Sequence, residues 1–217
     1  MAHRDTAALS DVTRQFLLVA RHTRDPRTGL MYHAWDESRS QKWADSLTGL
    51  SRNFWGRAMG WYMMGLVDAL DFIPETHPDR AQLLRLLQET ASAVAQVQDP
   101  VTGLWYQVLD MPNRAGNYHE ASASSMFVYA LAKGARMGWL DARHGDVARR
   151  GYDGIIRHLV TVDANGLVSL NRICQVAGLG GKQQRDGSFE YYISEPIVSN
   201  DHKGVGAFIM ASLEVGQ

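Results

Sequence analysis

Two segments of this chain repeat one another, and the repeat limits what it can fold into. Asp25-Pro-Arg-Thr-Gly-Leu-Met-Tyr-His-Ala-Trp-Asp36 matches Asp99-Pro-Val-Thr-Gly-Leu-Trp-Tyr-Gln-Val-Leu-Asp110, 74 residues further on. A weaker third copy, Val162-Asp-Ala-Asn-Gly-Leu-Val-Ser169, places Gly166 63 residues after Gly103, with its Asp163 one residue closer to the glycine. A fixed internal period marks one structural unit used several times. In each copy the glycine supplies a tight turn, and the residues after it alternate as in a short extended segment. Each copy follows an apolar stretch of helical period and precedes a polar loop and another such stretch.

The helical stretches number six. Thr6–His22 carries Phe16, Leu17, Val19 and Ala20 and stops at Asp25-Pro26, where proline disfavours helix in the preceding residue. Asn53–Ile73 holds Trp55, Met59, Tyr62, Met63, Leu66 and Leu70 at spacings of three and four, and ends before Pro74. Thr76-His77-Pro78-Asp79 has the capping hydroxyl, early proline and acid of a helix start, ahead of a stripe of Leu83, Leu84, Leu87, Ala91, Val94 and Val97. Glu120–Met137 is rich in Ala and Ser, Val147–Val160 is amphipathic, and Gly204–Val215 forms the last helix. Strand pattern is scarce. Helix, Asp-to-Gly-Leu turn, loop and helix, three times about an axis, describe an all-α protein of the α/α toroid kind; a plain α-solenoid is the alternative. The long aromatic and polar loops favour the toroid.

Composition narrows the function. With 22 Lys+Arg against 23 Asp+Glu the net charge is −1, so no basic excess exists to displace counterions from nucleic acid. No run approaches the ~18 apolar residues of a membrane span. Met1-Ala2-His3-Arg4-Asp5 is not followed by an apolar h-region, which argues against a signal peptide. The single Cys174 excludes an internal disulfide framework and suits a cytoplasmic location. The chain has no zinc-type Cys/His spacing, no His-Glu-x-x-His and no Gly-x-Ser-x-Gly. The glycine-rich Gly178–Gln183 lacks phosphate-loop spacing.

Five of the six tryptophans lie between Trp35 and Trp105. Trp55, Arg57 and Trp61 open a helix, where an arginine opposes the helix dipole and needs another reason to be present. Two readings account for it. Arg57 grips a sugar carboxylate while the indoles stack on a pyranose ring, or the tryptophans are core and Arg57 pairs with an acid such as Asp36. His33, at the position of Gln107 in the second repeat, is either a satisfied structural residue or a group that donates to substrate or moves protons. Glu120 either caps backbone amides or holds sugar hydroxyls, and the serines beside it suit close helix contact. In the tail, dense in polar groups at a helix start, Asn200 or Asp201 is either the N-cap or part of a binding site, and Lys203, next to His202, is either solvated or attracts an anion.

Four blocks together resemble the unsaturated rhamnogalacturonyl hydrolases, glycoside hydrolase family 105: Gly29–Asp36, Phe54-Trp-Gly-Arg-Ala-Met-Gly-Trp61, Glu120–Phe127 and Asn200-Asp-His-Lys-Gly-Val-Gly206. They keep the family's order, although the family more often has Gly-Asn where this chain has Ala58-Met59. The resemblance implies an (α/α)6 barrel, no metal or organic cofactor, and a substrate with a 4,5-unsaturated galacturonic acid linked to rhamnose, as pectin breakdown releases. It implies hydration of the vinyl-ether double bond by an aspartic acid, unlike the two-carboxylate scheme of ordinary glycosidases. His33, Trp55, Arg57, Trp61, Glu120, His202 and Lys203 are then the substrate-binding set.

The family's acid/base aspartate lies upstream of the Gly29–Asp36 block. Asp5, Asp11 and Asp25 do not sit in its motif, and nothing matches Asp36 or Glu37 to it. Residues 1–217 thus resemble one C-terminal portion of the barrel, about six of its twelve helices, without the proton donor. Two other expectations follow: a non-catalytic sugar-binding or orphan half-barrel module that self-associates through the exposed half-barrel face, and another toroid sugar enzyme such as an epimerase.

Overall fold

The apolar stripes become helices α1 (Thr6–Thr23), α2 (Gly56–Phe72), α3 (Arg80–Gln96), α4 (Ala121–Arg136), α5 (Ala142–His158), α6 (Phe189–Ser194) and α7 (His202–Val215). Two short antiparallel pairs accompany them: β1 (Val160–Val162) with β2 (Val168–Leu170), and β3 (Ile173–Cys174) with β4 (Ile197–Val198). The computed structural model describes residues 6–217, so the signal-peptide reading of Met1–Asp5 falls outside the described residues.

Helix α4 is the spine. It packs between α2 and α7 and is covered by α5. The pairings give the directions. Gly56 lies against Ala123 and Gly60 against Met126, and near the other end Lys133 reaches Asp68 and Asp71, both at 2.6 Å. Arg136 pairs with Glu214 near the C-termini of α4 and α7. Helices α2, α4 and α7 therefore run parallel. Gly145 meets Ala135 and Gly151 meets Val128, so α5 runs antiparallel to α4. An inner layer of three parallel helices backed by α1, α3 and α5 is an arc of an α/α toroid.

The inner contacts are close because small residues line them. A Cβ at Gly60 would stand 2.8 Å from that of Met126. Ser122, Ser124 and Ser125 are fully buried. Around them Met63, Leu66, Leu83, Leu87, Trp105 and Phe127 are sealed from solvent; burying such a side chain stabilises by about 1.5–3 kcal/mol.

The repeated turns are one device. Gly29 and Gly103 sit at φ 74° and 76° and donate to Asp25 O at 2.9 Å and Asp99 O at 2.8 Å. In the third copy Gly166 donates to Asp163 O at 3.0 Å, one residue shorter as its sequence requires. A further copy, Asp45-Ser-Leu-Thr-Gly-Leu50, makes the same turn, with Gly49 N donating to Asp45 O at 2.8 Å.

Three details differ from expectation. The six long helices are present, but a seventh, α6, joins them; six residues are too few to show a stripe. Helix α3 starts at Arg80, not at Thr76, and its N-cap Asp79 gives no side-chain cap, because Asp79 Oδ2 accepts from Thr13 Oγ1 at 2.7 Å and so ties α1 to α3. The tail cap is Asp201, whose carboxylate accepts from Lys203 N.

The free edges of the arc are apolar. On α7, Ile209 and Leu213 are 53% and 68% exposed, in line with exposed Gly206. On α2, Trp61 and Phe72 are 48% and 72% exposed. No helix among the described residues is long and apolar enough to cross a membrane.

Candidate functional site

Because α2, α4 and α7 are parallel, their N-termini gather at one end of the arc. Each helix start carries about half a positive charge, and much of it is already met: Ala123 N donates to Glu120 at the start of α4 and Lys203 N to Asp201 at the start of α7. The repeat turns deliver their following residues to this end. Trp55 closes the loop before α2 and bridges to Val108 of the second repeat, and Gly56 N donates to Gln107 O at 3.0 Å.

A cluster of four side chains results. Trp55 and the His33 ring have centroids 4.6 Å apart. The Tyr192 ring stacks on Trp55 at 5.9 Å and 20°. Tyr192 Oη and His33 Nδ1 are 2.6 Å apart. Trp55 Nε1 donates to Gln107 Oε1 at 3.1 Å, and Gln107 Nε2 donates to Tyr192 O, also at 3.1 Å. Tyr192 and Gln107 are fully buried. Burial pushes His33 down to about 4, so the imidazole is neutral at pH 7.

Beneath Trp55 lies a charged layer. Arg57 is 1% exposed, and its guanidinium stands 5.5 Å from the Trp55 ring centre. Arg57 Nη2 donates to Cys174 O and lies 3.4 Å from Glu120 Oε1. Glu120, fully buried, also accepts from Ser122 Oγ at 2.7 and 2.8 Å, Ala123 N at 2.6 Å and Cys174 N at 2.9 Å. The carboxylate thus caps α4, neutralises Arg57 and anchors β3. The acid paired with Arg57 is Glu120 rather than Asp36. Two buried atoms here, Arg57 Nε and Tyr118 Oη, have no hydrogen-bond partner among the described residues.

His33 also lines a cleft of about 500 Å³ between α1 and the first repeat, with Leu18, Val19, His22, Thr23, Ala34, Trp35 and Glu37. Trp35 stacks on His22 at 3.8 Å and 15°. Asp36 does not face this cleft as a free acid. Its oxygens accept from Gln41 N at 2.9 Å, Ser38 N and Oγ at 3.1 and 2.8 Å, and Ser40 N at 2.8 Å. Those bonds, the Gln41 amide first, hold its carboxyl below the usual range.

Of the residues singled out in the sequence, the structure brings His33 and Trp55 together and sets Arg57 and Glu120 under them. Trp61 stands exposed further along α2. Exposed His202 and half-buried Lys203 begin α7, Lys203 Nζ lying 2.8 Å from Asp201; neither touches the His33–Trp55 cluster. Tyr192, Gln107 and the Cys174 carbonyl were missed. The repeat held a signal for the first two: His33 and Gln107 occupy equivalent positions, and both bond to Tyr192.

The chain matches Glycosyl Hydrolase Family 88 across residues 2–217 and belongs to that family. It is of the family 105 type: it superposes on a family 105 glycoside hydrolase from C. acetobutylicum with TM-score 0.96 and 50% identity, over 99% of this chain and 59% of that one. It is 41% identical over 214 residues to Protein Atu3128 of Agrobacterium fabrum, covering 95% of this chain and 90% of that protein. It is 37% identical over 113 residues to the unsaturated rhamnogalacturonyl hydrolase YesR of Bacillus subtilis, covering 52% of this chain and 30% of that protein.

Proposed function

We propose that this chain forms the sugar-binding part of a hydrolase for disaccharides ending in 4,5-unsaturated galacturonic acid linked to rhamnose. The observation that carries the reading is the His33–Trp55 wall at the N-terminal end of three parallel helices, in a chain similar to a protein named for that activity. Glu120 and Asp201 cap α4 and α7, and the start of α2, which has no side-chain cap, is the helix end that favours the uronate carboxylate. Trp55 is 6% exposed and backs His33 from within the core, and His33 supplies a neutral donor to the cleft it lines. Arg57, paired to Glu120, holds the indole from behind. Trp61 offers an exposed platform, and His202 and Lys203 add polar groups at the start of α7.

The reaction consumes one water. A proton adds to C4, the water oxygen bonds to C5, and a hemiketal forms. Its ring C5–O bond breaks to give a ketone at C5 and a hemiacetal at C1, which loses the rhamnose. The first step needs a carboxylic acid beside the double bond. Asp36 is committed to its own loop and Glu120 to Arg57. Glu37 is the carboxylate lining the His33 cleft, and no match to the family's acid supports it. These 217 residues should therefore bind the unsaturated disaccharide and hydrate it weakly or not at all. Binding is read from tryptophan fluorescence, and turnover from loss of the conjugated-uronate absorbance. Full turnover would overturn the account of the missing acid; absence of binding would overturn the function.

A further inference from the structure

We propose that Tyr192 is a positioning residue: it fixes His33 as the neutral Nε2–H tautomer, so that the imidazole donates into the cleft it lines. The inference rests on the reading that His33 faces the sugar. Tyr192 is fully buried, and the single partner of its hydroxyl among the described residues is His33 Nδ1 at 2.6 Å. A buried phenol with one partner must spend its proton there, because the alternative leaves an O–H sealed without an acceptor. Nδ1 is then the acceptor, and the ring proton belongs on Nε2. Nε2 has no partner among the described residues and is not among the buried unpaired atoms, so it opens to the cleft bounded by Leu18, Val19 and Trp35.

The tyrosine is itself held. Its carbonyl accepts from Gln107, its ring stacks on Trp55, and Ser188 caps its helix by accepting from Tyr191 N at 3.1 Å. The hydroxyl is therefore aimed before any ligand arrives, and the donor on His33 is pre-organised for an oxygen acceptor such as a sugar carboxylate or hydroxyl.

The test is long-range ¹H–¹⁵N correlation of the histidine rings of the full chain at pH 7, with His33 assigned by its loss in H33Q. The expected spectrum shows His33 neutral and protonated on Nε2. In Y192F, which keeps the ring and the stack, the Nε2–H to Nδ1–H ratio should fall about fivefold, the worth of one neutral hydrogen bond. An Nδ1–H form in the unsubstituted chain, or an unchanged ratio in Y192F, would overturn the proposal. Should Y192F fail to fold, the unsubstituted spectrum decides alone. Titration with the unsaturated disaccharide separates the two readings: no binding by a chain that shows the Nε2–H form counts against the function and not against the tautomer.

Discussion

Glu120 is where stability and site geometry depend on the same atoms. It has no exposed surface and accepts from an arginine, two amides and a serine hydroxyl. In Glu120→Ala, Arg57 keeps its charge at 1% exposure with one carbonyl left to meet it. Breaking one side of a buried pair costs about 3–5 kcal/mol, and losing a helix cap about 1 kcal/mol. These effects overlap, so a total of about 3–5 kcal/mol is expected. A domain has about 5–15 kcal/mol to lose. Glu120→Gln keeps the shape and an acceptor for the amides; it should cost about 1.5–3 kcal/mol, the range for a hydrogen bond to a charged group. The double change Arg57→Met with Glu120→Leu removes both charges. It should be more stable than Glu120→Ala by about 2 kcal/mol, because no orphaned charge remains. Urea denaturation at 25 °C followed by tryptophan fluorescence measures all three. A cost under about 1 kcal/mol for Glu120→Ala, or a double variant no more stable than Glu120→Ala, would refute the assignment of Glu120 as the counter-charge.

Two further outcomes follow from the same geometry. His33 ionises near 4 when folded and near 6.5 in its ordinary state, so between those values the unfolded chain binds the extra proton and stability falls as pH drops through the window. The full effect is about 3 kcal/mol, and His33→Gln, the residue of the second repeat, should remove it; equal urea midpoint shifts from pH 7 to 4.5 in both chains would refute this. The exposed Ile209 and Leu213 on α7 predict that the chain pairs with a second copy through this edge, and that Leu213→Glu releases monomer; sedimentation showing a compact monomer before the substitution would sink the idea.

The sequence made the long helices legible because each buries one stripe: Leu83, Leu87, Ala91 and Val94 on α3 are all sealed, as their spacing requires. It made three repeat turns legible, two marked by Asp-Pro and the third by Asp163 and Gly166, and hid Asp45–Leu50, whose hydrogen bonds match those of the Asp-Pro copies. The start of α3 was misread because local capping chemistry lost to a tertiary bond: Asp79 serves Thr13, far away in sequence. Arg57 does pair with an acid, but with Glu120 and not with the example Asp36. Asp36 is near in sequence but its oxygens are taken by its own loop, while Glu120 reaches Arg57 because α2 and α4 run parallel with their starts side by side. Periodicity speaks for contacts within an element. The site is made of contacts between elements.

Helix α6 shows how such contacts can still be specified by a repeat. Counting four residues past the turn glycine gives His33, Asn53, Gln107 and Leu170 in the four copies. His33 meets the Tyr192 hydroxyl at 2.6 Å, Asn53 Nδ2 donates to Gly187 O at 2.7 Å, and Gln107 Nε2 donates to Tyr192 O at 3.1 Å. Three polar side chains at one repeat position thus hold the single segment Gly187–Tyr192. In the fourth copy the position is Leu170, 3% exposed, and it serves the core instead. A six-residue helix cannot be stable through its own turns, because nucleation costs more than so few bonds return. It forms here because three turns converge on it. Tyr192 therefore comes to the site through the repeat, and that is why a sequence with no stripe at residues 189–194 still places a tyrosine against His33 and Trp55.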